Sequence, residues 1–441
     1  MEKVDLIVAA RWVIPGEPAG VVLDDHSVAV RDGRIVDVLP RDAARRRYEC
    51  DEWRTLQDHI LIPGLVNAHT HAAMTLLRGL ADDLPLEEWL GEHIWPAENQ
   101  WVGVDFVRDG TELAVHEMIR GGTTCFQDMY FYPDVVAQTA VDAGMRAVVG
   151  MIVIEQPTVW AQHAEEYLSK GLAVHDQFRG NALIRTAFAP HAPYTVGDDT
   201  LDRIRVLADE LEVPVHMHVH ETAVEVADAV RDAGQRPLER LDALGLVSTQ
   251  LAAVHMTELS GAEIAQLAER GASVVHCPES NLKLASGFCR TADLARAGVN
   301  VALGTDGAGS NNDLDMFGEM RTAALIGKAV AGDAAAITAA DALSMATING
   351  ARALGWADDI GSIVRGKYAD MVAVDMRVPA TQPVYHPISQ LVYAAARDQV
   401  SDVWVAGRSL LRDGAFVTDR TEALFERVLG WQRRIADSDK H

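Results

Sequence analysis

Cysteines and long apolar runs are both scarce in this sequence. The 441 residues include only four cysteines, and these form no CxxC pair and no disulfide-type spacing, which indicates a reducing compartment. No segment approaches the roughly 20 consecutive apolar residues that a membrane span requires. The opening residues, MEKVDLIVAARWVIPG, lack the basic start and continuous apolar stretch of a secretory signal. The sequence therefore predicts a soluble, cytoplasmic protein.

Basic residues are too few to balance the acidic ones. The chain has 39 Lys and Arg against 64 Asp and Glu, a formal net charge of −25. Such a surface repels phosphate backbones and anionic lipid headgroups. We therefore expect neither a nucleic-acid nor a membrane partner, and a small neutral or zwitterionic molecule fits better. A homo-oligomer is the expected assembly.

Several familiar catalytic motifs are missing as well. The chain has no HExxH of a zinc protease, no GxSxG nucleophile turn, no GxxxxGK[ST] phosphate loop and no GxGxxG after a strand. The PCxxC half of the cytidine-deaminase type of zinc site is also lacking. These absences exclude several common enzyme classes.

Apolar periodicity divides the chain into three parts. Short β-rich runs and turns fill the start, with a hairpin turn at Asp32 and Gly33, and similar runs fill the end. Between them, β-like runs alternate with amphipathic helical stretches. This pattern predicts an α/β fold, a (β/α)8 TIM barrel over residues 64–366. Residues 1–63 and 367–441 are predicted to pair as a small composite β-sandwich domain.

Side chains suited to a divalent metal end four of the predicted barrel strands. Catalytic groups of such barrels lie at the C-terminal ends of strands, and imidazole and carboxylate suit a zinc-like ion. The four runs are LVNAHTH with His69 and His71, VPVHMHVHET with three histidines, LAAVHM with His255, and NVALGTDG with Asp306. Any one of them has a purely structural explanation, but the four together predict a metal site.

The run VPVHMHVHET leaves one question open. His216, His218 and His220 share one face by period-two alternation, so spacing alone does not choose the ligand. Glu221, three residues after His218, can lie beside the metal without binding it. A carboxylate so placed is suited to shuttle protons.

Longer motifs resemble the amidohydrolase superfamily, in its 5′-methylthioadenosine/S-adenosylhomocysteine deaminase branch, which is related to triazine hydrolases and guanine deaminases. They include NAHTHAAMTLLRGL, HVHET, HCPESNLKLASG and GTDGAGSNNDLDMFGEM. The resemblance implies one divalent metal ion, zinc or alternatively iron, and ligands at His69, His71, His218 and Asp306. Two-metal relatives add a bridging lysine on a middle strand. The only lysine between His71 and His218 is Lys170, in a helix-like stretch, so a mononuclear site is expected.

The resemblance also implies a hydrolytic deamination of an adenine nucleoside. Asp306 would take a proton from the attacking water and His255 would orient that water. Glu221 would protonate N1 of the adenine ring and then pass a proton to the departing amine. These three residues are the predicted catalytic set.

Four further residues are implied to bind substrate: Glu98 at the ribose hydroxyls, Trp89 at the base, and His191 and Ser310 nearby. Members that accept S-adenosylhomocysteine use arginines after the third strand, and MIVIEQPTVWAQHAEEYLSKGLAVHDQF contains none. The sequence therefore favours 5′-methylthioadenosine, although S-adenosylhomocysteine and adenosine stay open. Arg179 or Arg185 could still contribute.

Two other kinds of function compete. The same metal set could serve an s-triazine chlorohydrolase or a guanine or pterin deaminase, and Glu98 distinguishes them because only a nucleoside offers ribose hydroxyls. A more remote alternative is a non-catalytic, metal-stabilised assembly protein. The complete ligand set with Glu221 argues against it.

Overall fold

Two eight-stranded sheets make up the computed structural model, which describes residues 1–418 and 421–438. One sheet is parallel, with its strands in chain order, and forms a nearly closed barrel surrounded by helices. The other is mixed and takes strands from both ends of the chain. The predicted α/β barrel with an added composite β domain is confirmed. Within the described ranges, no helix combines the length and apolarity needed to cross a membrane.

In the sequence, the eight barrel strands follow the first four strands of the mixed sheet and precede its last four. In chain order the strands are β1 (Glu2–Val13), β2 (Leu23–Arg31), β3 (Arg34–Pro40), β4 (Tyr48–Pro63), β5 (Leu65–Thr70), β6 (Thr123–Asp128), β7 (Arg146–Val153), β8 (Ile184–Pro190), β9 (Val215–Val219), β10 (Leu251–His255), β11 (Ser273–His276), β12 (Asn300–Leu303), β13 (Met371–Asp375), β14 (Val400–Val405), β15 (Arg408–Arg412) and β16 (Ala415–Phe416).

The mixed sheet joins the two ends of the chain at β4, which pairs in parallel with β1 and antiparallel with β13. Its strand order is β16-β15-β14-β13-β4-β1-β2-β3. The predicted sandwich is thus one continuous sheet that curls over its own apolar face. The curl brings the β2–β3 turn to the β13–β14 end of the sheet, where the Ala369 amide donates to the Gly33 carbonyl at 2.9 Å.

The barrel closes between β5 and β12, and the seam is also where two predicted metal ligands meet. The Asp306 amide donates to the His69 carbonyl at 3.0 Å, and the Thr305 amide donates to Asn67 Oδ1 at 3.0 Å. A Cβ at Gly304 would lie 2.7 Å from the His69 backbone nitrogen and from its Cβ. Only glycine permits so close an approach, so the seam itself places His69 beside Asp306.

Most helices follow barrel strands and cover the outer face of the barrel. They are α1 (Arg41–Arg47), α2 (Leu86–Glu88), α3 (Trp95–Trp101), α4 (Val104–Arg120), α5 (Pro133–Ala143), α6 (Ala164–Phe178), α7 (Asp198–Leu211), α8 (Ala223–Ala233), α9 (Pro237–Ala243), α10 (Gly261–Arg270), α11 (Pro278–Lys283), α12 (Thr291–Arg296), α13 (Met316–Ala331), α14 (Ala339–Met345), α15 (Ile348–Ala353), α16 (Pro387–Tyr393) and α17 (Thr421–Ser438). Short 3-10 helices span Ala72–Leu77, Pro379–Thr381 and Arg397–Gln399, and a π-helix, Trp89–Ile94, joins α2 to α3.

Local sequence sets the ends of these helices. Before α10, Ser260 Oγ accepts the Glu263 amide at 3.2 Å, and Glu263 Oε2 accepts the Ser260 amide at 2.8 Å. This reciprocal capping box satisfies two amides that have no partner inside the helix. The helix ends at Gly271, whose φ of +72° is left-handed. β7, by contrast, is buried along its whole length, as expected for a parallel strand covered on both faces.

The boundaries after residues 63 and 366 stay a prediction. The last helix, α17, contacts the barrel as well, because it packs against α4. Trp431 Nε1 donates to Asp109 Oδ2 at 3.0 Å, and Arg427 Nε donates to Asp109 Oδ1 at 3.0 Å. The C-terminal segment therefore contributes to both parts of the molecule.

A buried ion pair joins the N-terminal end of the barrel to the mixed sheet. Arg146 and Asp370 are 0% and 2% exposed at the side chain, and Arg146 Nε lies 2.6 Å from Asp370 Oδ2. We expect Asp370→Ala to lower the free energy of unfolding by about 3–5 kcal/mol, because it leaves a buried guanidinium without its counter-charge. Asp51→Ala, which removes the exposed partner of Lys3, should cost about 0–1 kcal/mol. Urea unfolding of both variants measures the difference, and equal costs would contradict the account.

Candidate active site and metal centre

Four side chains from three parts of the barrel converge at the C-terminal ends of its strands. Their ligand atoms all lie within 4.8 Å of one another, and they belong to the four residues His69, His71, His218 and Asp306. Asp306 Oδ1 lies 3.2 Å from Nε2 of His69 and 3.2 Å from Nε2 of His71. For zinc bonds of about 2.0–2.1 Å, tetrahedral geometry separates neighbouring ligand atoms by about 3.4 Å. The spacing therefore fits one divalent ion of this size.

Hydrogen bonds leave Nε2 of each histidine free for a metal. Nδ1 of His71 is 2.6 Å from the Met129 carbonyl, and Nδ1 of His218 is 2.8 Å from the His191 carbonyl. A carbonyl only accepts, so Nδ1 of each ring donates to it, and Nε2 is the nitrogen that faces the metal position. Fixing the tautomer in this way is how the partners of a ligand tune a metal site.

His69 is oriented by another histidine. Its Nδ1 lies 2.8 Å from Nε2 of His216, and its own Nε2 lies 3.2 Å from Nε2 of His218. If His69 donates from Nδ1, its Nε2 faces the metal position. Burial holds the pKa of His216 well below its ordinary value, so this ring is neutral and can accept. The structure thus places His218 in the metal cluster, whereas His216 lies outside it and orients His69.

The carboxylate of Asp306 is held in its ionised form. Its φ of +64° is left-handed, and the turn directs Oδ1 toward the histidines. Oδ2 accepts hydroxyls from Ser310 at 2.6 Å and Ser280 at 2.7 Å. Burial alone would raise the pKa of this carboxyl, but hydrogen bonds with His69 and His71 hold it well below the usual range. A buried carboxylate among three imidazoles suits a cation.

Glu221 and His255 lie beside the cluster without joining it. Nε2 of His255 is 3.8 Å from Oε1 of Glu221, and Nδ1 of His255 is 2.9 Å from Oδ1 of Asn281. Burial raises the pKa of Glu221 above its ordinary value, although His255 opposes the shift. A carboxyl that holds a proton more tightly than usual is suited to act as a general acid.

A cavity of about 530 Å³ opens onto the metal cluster. Its walls include all four residues predicted to bind substrate, namely Trp89, Glu98, His191 and Ser310. Glu98 Oε1 accepts the hydroxyl of Tyr130 at 2.7 Å, and burial raises the pKa of Glu98 to about 7. Burial lowers the pKa of His191 to about 4, so its ring is neutral. The structure therefore gathers the predicted residues around one space, next to a hydroxyl of Ser310 that is already bonded to Asp306.

Two arginines named as candidate contacts lie elsewhere. Arg185 follows the first residue of β8, at the N-terminal end of the barrel, where it donates to Asp359 at 3.0 Å. Arg179 lies near it, and both line a separate cavity at that end. The suggestion that either contributes to substrate binding is wrong, because catalytic groups of this fold meet at the opposite end.

Sequence reasoning missed several residues that complete the site. Tyr130 and Asn281, which bond Glu98 and His255, follow strand ends but resemble no metal ligand. His220 faces away from the cluster: its Nδ1 is 3.0 Å from the Glu258 carbonyl, and its Nε2 accepts the Leu238 amide at 3.1 Å. Its role is to tie the strand end to its neighbours.

The side chains around the metal position are arranged to suit one ion. Among residues 1–418 and 421–438, a single cluster of three or more metal-type side chains lies close enough to share an ion. Lys170, the only lysine that could have bridged two metals, lies on α6 and pairs with Glu166 at 2.8 Å. The predicted mononuclear centre agrees with this arrangement.

Comparisons with known proteins agree with the site. The family model described as "Amidohydrolase family" matches residues 60–410. A 5-methylthioadenosine/S-adenosylhomocysteine deaminase from Teredinibacter turnerae is 50% identical over 432 residues, 98% of each chain. A crystal structure of an adenosine deaminase from Xanthomonas campestris with bound zinc is 56% identical, with a TM-score of 0.98 over 99% of both chains.

An atrazine chlorohydrolase from Arthrobacter aurescens, solved in complex with zinc, shares the fold. Its TM-score is 0.91 at 21% identity, over 97% of this chain and 99% of that one. At 21% identity the likeness shows the fold alone. The family assignment rests on the family model and on relatives with much higher identity. Since the family model and the full-length relatives both cover most of the chain, the protein belongs to the amidohydrolase family.

Proposed function

We propose that the protein is a zinc-dependent hydrolase that removes the 6-amino group of an adenine nucleoside, with 5′-methylthioadenosine as its main substrate and methylthioinosine and ammonia as products. One observation carries the proposal: Glu98 lines the same cavity as three of the four metal ligands, His71, His218 and Asp306. A half-buried carboxylate there can accept the two hydroxyls of a ribose while the base lies toward the metal position. The names of the full-length relatives support the same reaction.

The donor set of three imidazole nitrogens and one carboxylate oxygen suits zinc, with Fe²⁺ as the alternative. A divalent ion held there supplies Lewis-acid chemistry, which makes a water molecule acidic enough to attack at neutral pH. His69, His71, His218 and Asp306 would hold it.

The remaining steps belong to the side chains of this protein. Asp306 accepts the proton of the attacking water, and His255 orients that water toward C6 of the adenine ring. Glu221 donates its proton to N1, so that negative charge does not build up on the ring. The ionised Glu221 then takes the proton of the new C6 hydroxyl and transfers it to the amine, which leaves as ammonia when the C6–N bond breaks. The proton held by Asp306 finally returns Glu221 to its protonated form. The raised pKa of Glu221 supports this role, since the acid must hold its proton until N1 needs it.

The apolar wall of the cavity favours a small 5′ substituent. After β7 the cavity is lined by Ile154, Pro157 and Val159, with Gln156 and Thr158 as uncharged polar neighbours. No arginine or lysine of residues 1–418 and 421–438 contributes to its lining. A methylthio group can pack against such a wall, whereas the amino-acid carboxylate of S-adenosylhomocysteine would find no cation there. We expect 5′-methylthioadenosine to have a higher kcat/KM than S-adenosylhomocysteine, and adenosine to lose the apolar contact.

Glu98 gives the proposal a pH-dependent test. Only its ionised form accepts two hydroxyls, and its pKa of about 7 lies far above the ordinary 4.5. The ionised fraction therefore increases with pH, and kcat/KM for the nucleoside should rise about tenfold between pH 6 and pH 8. Glu98→Gln should lower kcat/KM and remove this component of the pH profile. If Glu98→Ala left nucleoside turnover unaltered, the triazine, guanine or pterin reading would replace the nucleoside one.

We place the protein in the cytoplasm, an assignment supported by four cysteines that are all free. The acidic surface argues against nucleic-acid and membrane partners. A homo-oligomer stays a prediction, which sedimentation of the zinc-loaded protein would check. A non-catalytic assembly protein is disfavoured as an alternative, because the ligand set is complete and a cavity opens onto it.

A further inference from the structure

The turn that carries Glu221 has an unusual backbone. At the end of β9, His220 has a φ of +52°, in the left-handed region that residues with a side chain rarely adopt. A residue held there is strained, and it persists only when its surroundings fix it. The turn swings Glu221 out of the strand toward His255. Its amides and carbonyls leave the sheet at the same point and need other partners.

Glu225 supplies partners for both amides. Its Oε1 accepts the His220 amide at 3.1 Å, and its Oε2 accepts the Glu221 amide at 2.7 Å. Glu225 lies in the first turn of α8, where Thr222 Oγ1 accepts the Glu225 amide at 3.1 Å. One carboxylate therefore holds two successive amides of the turn.

This arrangement departs from ordinary helix capping within the same molecule. Thr222 and Glu225 have the spacing of a capping box, in which the glutamate would bind the amide of the capping residue. Glu263 does so before α10, where it accepts the Ser260 amide at 2.8 Å. Glu225 instead reaches one and two residues further back. Its bonds therefore go to the turn that carries Glu221, beyond the residue that caps the helix.

Thr257 holds the same turn from the other side. Its hydroxyl lies 2.9 Å from the Glu221 carbonyl and 3.0 Å from the His220 carbonyl. Its amide donates to the His220 carbonyl at 2.9 Å. Thr257 is buried and stands two residues after His255, so it connects the turn to the strand end that carries His255. Neither Thr257 nor Glu225 lines the substrate cavity.

We propose that Glu225 and Thr257 are positioning residues that clamp the His220–Glu221 turn and so hold the Glu221 carboxyl at the reacting ring. The inference rests on the proposed deaminase function. The clamp holds the turn through its amides, which Glu225 accepts, and through its carbonyls, which Thr257 contacts. It also connects the segment that carries Glu221 to the strand end that carries His255. Because it acts through Glu221, its loss affects the chemical step more than substrate binding.

Two variants weaken the clamp with little change in shape. Glu225→Gln keeps one oxygen but turns an NH₂ toward an amide donor, and Thr257→Val removes only the hydroxyl. We expect each variant, as zinc-loaded enzyme, to lower kcat for 5′-methylthioadenosine by about 10–100-fold, since small misplacements at a reacting centre have effects of that size. KM should change by less than about twofold, and zinc content should stay at one ion per chain.

Matched controls and a double variant complete the test. Thr257→Ser keeps the hydroxyl and should retain most activity, and Asp228→Asn, on the same helix but bonded to Arg231, should leave kcat unchanged. In a Glu221→Gln background, adding Glu225→Gln should change the residual rate by less than about twofold.

Wild-type kcat in both clamp variants, or a loss accompanied by raised KM and lost zinc, would overturn the clamp. Failure of the wild-type enzyme to release ammonia would instead overturn the proposed function.

Discussion

Glu221→Gln is expected to lower kcat for deamination of 5′-methylthioadenosine by about 10²–10⁴-fold, the usual effect of losing a positioned acid or base. Glutamine has the same shape but cannot give a proton to N1 of the ring or pass one to the amine. Zinc content should be unchanged, because Glu221 lies outside the ligand cluster. Ammonia release at saturating nucleoside, with metal analysis of the same preparation, makes the measurement.

The reason for so large an effect lies in how the side chain is held. The carboxyl is buried beside His255 and lines the substrate cavity, so no solvent group can easily replace it. Glu210→Gln, at an exposed position on α7, is a matched control and should retain full activity. Substantial ammonia release by Glu221→Gln would remove Glu221 from the mechanism and, with it, the basis for the clamp.

His69→Ala is expected to lose both the metal and the activity. His69 lies at the centre of the cluster, in contact with Asp306 and His218, so its loss leaves three ligands and opens a gap. Removing zinc removes the acidity that the attacking water needs, which accounts for several powers of ten in rate. The variant should contain well under one zinc per chain after dialysis, and its ammonia release should fall below detection.

Excess zinc helps to interpret this variant. Partial recovery of activity in added zinc would show that the loss reflects weakened binding, whereas a misfolded protein would not respond. His386→Ala, at an exposed position before α16, should keep both metal and activity. A His69→Ala enzyme that is active and free of metal would end the metal hypothesis.

Strand periodicity and the position of barrel active sites predicted much of this centre. Side chains at the ends of β5, β9, β10 and β12 had to meet at one edge of a parallel barrel, and they do. The choice among His216, His218 and His220 was beyond the pattern, because all three share a period-two face. Depth in the barrel, which the pairing of β9 with its neighbours sets, separates His218 from His216. The left-handed backbone at His220 turns that ring away from the cluster.

The clamp could not be predicted from its own residues. Thr222 and Glu225 fit an ordinary capping box, and only the left-handed turn at His220 diverts the glutamate toward Glu221. Thr257 looks like any polar residue after a strand. Arg185 lies far from the metal position because it is at the start of β8. Apolar periodicity does not locate the start of a strand to within a residue, so this position could not be predicted.

One titration tests the central claim most directly. The purified protein is stripped of metal with a chelator, zinc is added back in steps, and ammonia release from 5′-methylthioadenosine is measured at each step. Activity should be absent at first, rise in proportion to added zinc, and level off at one ion per chain. Full activity without metal, a plateau that needs two ions, or zinc binding that restores no ammonia release would contradict a single zinc held by three histidines and an aspartate for nucleoside deamination.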